Sequence, residues 1–346
     1  MMAPRPPSFS MEPISEMDRN LSLDLVRVTE TAALSAARWM GRGSKENADR
    51  AAVDAMREVL NGIAMEGVVV IGEGEKDQAP MLYTGEVLGN ADRPKVDIAV
   101  DPIDGTRLLA EGRPNSLCVL AVAERGSMYA WQDLPYMEKI VVGAAAKGVI
   151  DLEAPVSDNL TRVAAAKGTT IQNLTVLILD RPRHTGLIRE VRETGARIRL
   201  MSDGDVAGAL LAAREGSGID MLLGIGGSPE AVIAACALKC MGGEMQCRVW
   251  PRDQEERERA HERGIDLAQV FAVDDLVQGD DVFFAATGIT DGEVLEGVKY
   301  LPDGAHTHSL VMRGLSGTVR DIRSAHRLSP LSILHRVKDG IGLADS

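Results

Sequence analysis

Two hydrophobic rhythms follow one another along this chain. Leu21, Leu25, Val28, Ala32, Ser35, Ala36 and Trp39 recur at helical spacing, and Gly41 and Gly43 close that helix. A second helix is predicted from about Lys45 to Leu60, with Ala48, Ala52, Met56 and Val59 on its inner face. Runs at Val68–Ile71, Val96–Val100 and Leu117–Ala123 read as strands parted by glycine-rich and acidic turns. The first half is therefore predicted as α+β, with long helices against a sheet. From Leu174 strand and helix alternate: Val176–Leu179 before a helix near Thr185–Thr194, Ile198–Met201 before one near Val206–Glu215, and Met221–Leu223 before one from about Pro229 to Cys240. That alternation predicts βαβ units and a mostly parallel sheet, with ligands at the carboxyl ends of its strands. Arg252–Arg263 reads as a charge-dense helix with a solvated face, and short strands follow at Val282–Ala286, Gly297–Tyr300 and Ser309–Arg313. The expected organisation is a disordered tail over 1–20, where Pro4, Pro6 and Pro7 cluster, an α+β unit over 21–170, an α/β unit over 171–335 and a flexible tail over 336–346.

Composition narrows the class. At 346 residues, 45% hydrophobic and 26% charged, the chain suits a soluble globular protein with ample core. Aromatics are only 3%, so that core must rest on Ala, Val, Leu, Ile and Met. A net charge of -13 argues against nonspecific binding to nucleic acid or an anionic membrane. No apolar run reaches membrane-spanning length, and Met1 to Ser10 lacks a signal peptide's apolar stretch. Cys118, Cys236, Cys240 and Cys247 are too few and too unevenly spaced for a disulfide framework, so the cytoplasm is the expected compartment.

The chemistry concentrates in Val96-Asp97-Ile98-Ala99-Val100-Asp101-Pro102-Ile103-Asp104-Gly105-Thr106. Asp101 is predicted at the carboxyl end of a buried strand, where Pro102, lacking an N–H, stops the ladder. The turn returns Asp104 beside Asp101, and Gly105 lets backbone N–H groups approach an anion. Two carboxylates this close repel unless a cation joins them, which points to a hard divalent metal next to phosphate. The plainer reading is a strand that ends in an acidic turn. In Ile71-Gly72-Glu73-Gly74-Glu75-Lys76-Asp77, Glu73 is a candidate ligand and Asp77 a base that orients water. Asp49 and Glu230 each open a helix, where an acid also suits the macrodipole without any function. Taken together this oxygen-rich, histidine-poor set prefers Mg²⁺ or Mn²⁺ over Zn²⁺. Arg181-Pro182-Arg183-His184-Thr185 ends a strand and starts a helix, offering guanidinium, imidazole and free N–H groups to a phosphate. Gly224-Ile225-Gly226-Gly227-Ser228-Pro229 fails as a dinucleotide fingerprint because Pro229 stands where a glycine belongs. Gly227 is instead expected to let backbone approach a substrate. Cys236, Cys240 and Cys247 lack a fourth zinc ligand and read as core.

The run Gly41–Asp49, the run Gly72–Asp77, Asp101–Thr106 and Gly224–Glu230 resemble the class II fructose-1,6-bisphosphatases, within the lithium-sensitive, metal-dependent phosphatases. The similarity covers nearly the whole chain after about Ser22, including Ala144–Gly148, Asp205–Ala209 and Thr287–Thr290. It departs from the family's pattern at Asp104, where Glu is frequent. The resemblance implies a layered αβαβα sandwich, with the first unit binding metal and the second binding sugar phosphate. It implies two or more Mn²⁺ or Mg²⁺ ions on Asp49, Glu73, Asp101, Asp104 and Glu230. It implies substrate contacts at Asp104, Gly105, Thr106, Tyr136, Arg183, His184, Thr185, Asp203, Gly204, Asp205 and Gly227. Glu73, Thr106 and Asp77 would serve catalysis, Thr106 positioning a water and Asp77 taking its proton. The implied reaction is hydrolysis of the C1 phosphate of fructose 1,6-bisphosphate, by a homodimer or homotetramer. Sedoheptulose 1,7-bisphosphate, alone or in addition, remains an alternative substrate, and the pathway, gluconeogenesis or a carbon-fixing cycle, stays open. A non-catalytic sugar phosphate sensor is the rival of another class, and Thr106 with the intact acidic set argues against it.

Overall fold

The computed structural model describes residues 17, 20–74, 81–129 and 135–327. The two tail expectations lie largely outside these residues, as does Asp77. In chain order the first elements are α1 (Leu21–Ala36), α2 (Lys45–Leu60), β1 (Glu66–Ile71), β2 (Val87–Leu88), β3 (Lys95–Asp104), α3 (Thr106–Glu111), β4 (Leu117–Glu124) and β5 (Tyr136–Val142). Then come α4 (Val156–Ala166), β6 (Thr175–Leu179), α5 (Thr185–Glu193), β7 (Arg197–Met201), α6 (Asp205–Ala213), β8 (Met221–Gly227) and α7 (Ser228–Met241). The last are β9 (Glu244–Val249), α8 (Gln254–Glu262), β10 (Val270–Ala272), α9 (Val273–Leu276), β11 (Val282–Gly288), β12 (Lys299–Leu301), β13 (Gly304–Arg313) and β14 (Thr318–Arg327).

The strands form two sheets. One has eight strands in the order β12-β13-β11-β4-β3-β1-β2, with β14 paired to β13. The other has six, in the order β10-β9-β5-β8-β6-β7. Three apolar clusters make five layers of them. Leu25, Val28 and Ala32 of α1 and Met56 of α2 pack on Val96, Ile98, Leu120 and Phe283 of the first sheet. Val206 and Leu210 of α6 and Ile233 and Ala237 of α7 fill the space between the sheets, against Ala99, Ala121 and Val141. Leu160 and Val163 of α4 and Val191 of α5 cover the outer face of the second sheet at Val176 and Ile178. The fold is thus the expected layered α/β sandwich.

Three details depart from the sequence reading. Only β6, β7 and β8 run parallel in the second sheet, whereas β5, β9 and β10 pair antiparallel. Charged residues interrupt β5 and β9 (Glu138, Lys139, Glu244, Arg248), leaving β5 only the short run Ile140–Val142 and β9 none. The chain already enters the second sheet at β5 and returns to the first at β11. Finally, Pro102 interrupts the β3–β4 ladder without ending it: the register shifts after Asp101 and pairing resumes between Asp104 and Leu117.

Candidate active site

Strand alternation explains why Asp101 points where it does. Val96, Ile98 and Val100 face the α1–α2 layer, while Ala99 faces the middle layer, and Asp101 shares the parity of Ala99. It therefore emerges toward the start of α7, where Glu230 is the third residue. Glu73 follows β1, which runs parallel to β3, so it leaves the sheet at the same end. Asp203 and Asp205 stand at the start of α6, behind the carboxyl end of β7. Helices α6 and α7 both open here, and their free N–H ends favour negative charge. Glu73, Asp101, Asp104 and Glu230 are brought within one another's reach in one basin, with Asp49 of α2 beside Glu73. Two surface recesses, about 400 Å³ beside α5 and about 770 Å³ beside α8, are lined by none of these carboxylates.

Electrostatics describes the basin's state. Burial and the facing Asp104, Glu230 and Glu73 carboxylates push Asp101 well above the usual carboxyl range. Its Oδ1 accepts the Ile103 N–H at 3.0 Å, which works against that rise without cancelling it. Glu73 keeps some solvent access yet is crowded by neighbours, and burial with Asp49 and Glu230 raises it to about 7. Burial raises Asp104 to about 8, with Asp205, Glu230 and Asp203 adding to the rise. Burial raises Glu230 as well, helped by Asp205 and opposed by Lys139. Burial raises Asp49 too, with the nearby Thr106 side chain opposing the rise. The Thr106 hydroxyl itself donates to the Ile103 carbonyl at 3.2 Å.

One atom identifies what the basin needs. Glu230 Oε2 is, among the described residues, the buried side-chain oxygen or nitrogen with no hydrogen-bond partner. Such an orphan costs free energy unless a proton or a cation meets it. Repelling carboxylates, an orphaned carboxylate oxygen and an all-oxygen donor set fit divalent metal. No three of the described side chains yet stand at the spacing of a closed chelate. Asp104 does double duty, since its Oδ2 accepts the Ala207 N–H at 3.0 Å and ties the first sheet to α6.

Gly226 and Gly227 are required by close approach. A Cβ on Gly226 would lie 1.7 Å from Asp205 Oδ2, and one on Gly227 would lie 1.7 Å from Glu230 Oε2. Both carboxylates fold back over bare backbone. The Gly227 N–H donates to Asp205 at 2.6 Å, so this amide serves the carboxylate rather than standing free for a substrate.

The phosphate-site expectation changes most. His184 was expected to offer its imidazole, but Nδ1 donates to the Leu179 carbonyl at 2.6 Å and Nε2 accepts the Ile225 N–H at 2.7 Å. The ring is a neutral staple between β6 and β8, and burial holds its pKa below the usual histidine value. The backbone amides are also spent, His184 N–H on Arg181 O and Thr185 N–H on Pro182 O. The Thr185 hydroxyl donates to that same carbonyl at 2.8 Å. The cationic groups of this segment are therefore its two arginines. Arg183 donates to Ile225 O through Nε at 3.0 Å and Nη2 at 2.6 Å, with its guanidinium 5.1 Å from the Tyr136 ring centre. Arg181 pairs with Asp203 at 2.8 Å.

Two residues escaped the sequence reading. Arg252, assigned to a solvated helix, sits 5.5 Å from the same Tyr136 ring. Lys139 lies in the middle of β5, 4% exposed, with Nζ donating to Asp205 Oδ2 at 2.9 Å. A lysine between Met137 and Ile140–Val141 was the available signal, since a buried lysine demands a partner. All four cysteines are free and buried, as expected of core residues.

Comparison with known proteins follows the geometry. Residues 19–326 match a family described as bacterial fructose-1,6-bisphosphatase, glpX-encoded. A fructose-1,6-bisphosphatase 1 class 2 from Escherichia coli is 46% identical over 325 residues, covering 90% of this chain and 96% of that protein. A fructose-1,6-bisphosphatase class 2 from Shigella flexneri matches with the same identity and coverage. Among solved structures, the extragenic suppressor protein suhB from Bartonella henselae aligns at 15% identity with a TM-score of 0.30, over 56% of this chain and 74% of that one.

Proposed function

The chain belongs to the bacterial, glpX-encoded fructose-1,6-bisphosphatase family, and from that membership we propose how its own residues do the work. It is a phosphoric monoester hydrolase that converts fructose 1,6-bisphosphate to fructose 6-phosphate and inorganic phosphate. The observation that carries the site assignment is the acidic basin with its orphaned Glu230 oxygen. Glu73, Asp101, Asp104 and Glu230, with Asp49 beside them, would hold two or more divalent ions, Mg²⁺ or Mn²⁺ by their hard oxygen donors. Bound there, such ions supply charge stabilisation of the phosphoryl group and an acidified water.

The remaining work falls to the protein. Thr106, whose hydroxyl donates to the Ile103 carbonyl, has an oxygen lone pair left to accept from the attacking water and fix its approach. Asp77, outside the described residues, keeps the proposed role of proton acceptor. Asp203 and Asp205 would accept hydrogen bonds from sugar hydroxyls, each held in place by its cation, Arg181 or Lys139. Arg183, braced by Ile225 O and by Tyr136, would grip the C6 phosphate, so that remote binding aligns the C1 end. Release of phosphate from fructose 1,6-bisphosphate by the purified protein tests the activity. Release that survives exhaustive chelation would remove the metal from it.

Two substitutions separate these roles. Thr106→Ala should lower kcat by at least ~100-fold, the usual scale for a group that positions or relays a proton, with product affinity within about threefold of the parent. Unchanged turnover would take Thr106 out of the reaction. Arg183→Ala removes a charged hydrogen bond worth roughly 1.5–3 kcal/mol, so KM should rise about 10- to 100-fold with kcat nearly kept. A loss confined to kcat would contradict the anchoring role.

A further inference from the structure

Lys139 is the one lysine buried among the described residues, and it lies beside an acidic basin rather than within an apolar core. Strand parity puts it on the face of β5 that carries Met137 and Val141 into the space between the sheets. Its Nζ meets Asp205 Oδ2 at 2.9 Å, and that same oxygen takes the Gly227 N–H at 2.6 Å. Gly227 in turn lies directly under the Glu230 carboxylate. A chain of contacts therefore runs from the β5 cation through Asp205 and Gly227 to the orphaned oxygen. Other cations near the basin are spent elsewhere: Arg181 on Asp203 and Arg183 on a backbone carbonyl.

We infer that Lys139 is a positioning residue with two duties: its fixed charge sets how strongly the basin binds divalent metal, and its bond to Asp205 holds the carboxylate that receives the sugar. The first duty follows from Coulomb's law. A buried ammonium within reach of Glu230 opposes a second cation there, so the basin binds metal less tightly than its carboxylates alone would. A site that binds too tightly would hold metal and product phosphate together and slow release. The second duty follows from hydrogen-bond satisfaction. Without Nζ, Asp205 retains the Gly227 amide but loses the partner that fixes its rotamer. Lysine suits the task because its compact ammonium makes one short contact, where a guanidinium would need a wider berth.

This inference rests on the basin being a metal site, and the test keeps the two apart. Bound and free Mn²⁺ would be measured by electron paramagnetic resonance on the full chain, alongside KM and kcat for fructose 1,6-bisphosphate. If the parent protein binds no Mn²⁺, the metal reading itself fails. Given binding by the parent, Lys139→Met should tighten Mn²⁺ by roughly three- to tenfold at low salt, an effect weakened by added salt. KM should rise by about tenfold at the same time, as a charge-assisted hydrogen bond is lost. A merely structural lysine would instead loosen both. Asp205→Asn carries the opposite charge change and should weaken Mn²⁺ by a similar factor, and the double variant should return close to the parent. Unchanged or weaker Mn²⁺ binding in folded Lys139→Met overturns the inference. Should that variant not fold, unchanged Mn²⁺ binding by Asp205→Asn overturns it equally.

Discussion

Glu230→Gln is expected to lower kcat/KM for fructose 1,6-bisphosphate by at least ~1000-fold, while the metal-free protein melts at a higher temperature than its parent. The activity loss follows from the role of the side chain. Metal-ion stabilisation of a transferring phosphoryl group is worth several kcal/mol, and ~4 kcal/mol corresponds to a thousandfold. An amide keeps the shape and loses the charge that would hold the ion. The stability gain follows from Oε2, which is buried without a donor and repelled by the surrounding carboxylates. Replacing a carboxylate oxygen with an amide N–H supplies a donor where the basin has too few. Activity at saturating Mn²⁺ and calorimetry of chelated protein check both parts. Retained turnover, or a chelated variant that melts lower than its parent, would sink the assignment of Glu230.

Stripping divalent metal should abolish hydrolysis, and restoring Mn²⁺ should stabilise the fold more at pH 8 than at pH 5. Glu73 rises from 4.5 to about 7 and Asp104 from 3.8 to about 8 in the folded chain. Between those limits the folded state holds protons that the unfolded chain has released, so stability from these groups falls as pH rises. Below pH ~4 both states are protonated and the penalty vanishes. Metal replaces the protons, so it has most to repair at high pH. Thermal melts with and without Mn²⁺ at the two pH values measure this directly. An equal shift at both, or a larger one at pH 5, contradicts a basin of repelling carboxylates.

Much of this site could be read from the sequence because its carboxylates sit at strand and helix ends. The Val96–Val100 alternation fixes which way Asp101 points, and Gly226-Gly227 before Glu230 marks a crowded turn. What stayed hidden depends on contacts between distant elements. The influence of Thr106 on Asp49 needs α2 packed beside α3. The commitment of His184 to Leu179 and Ile225 follows from β6 lying next to β8, which no local pattern encodes. Lys139 lies in a strand whose charges masked it altogether, and β14, a polar edge strand, left no hydrophobic trace. Helix α4 was missed for a related reason: its apolar face is short, Leu160 with Val163 and Ala164.

Anomalous diffraction at the manganese edge, on crystals soaked in Mn²⁺ with fructose 6-phosphate and phosphate, addresses the central claim most directly. The account predicts manganese peaks in the basin, bounded by Glu73, Asp101 and Glu230, with density for phosphate beside Thr106. Manganese bound only elsewhere on the molecule, in protein that still releases phosphate, would contradict it.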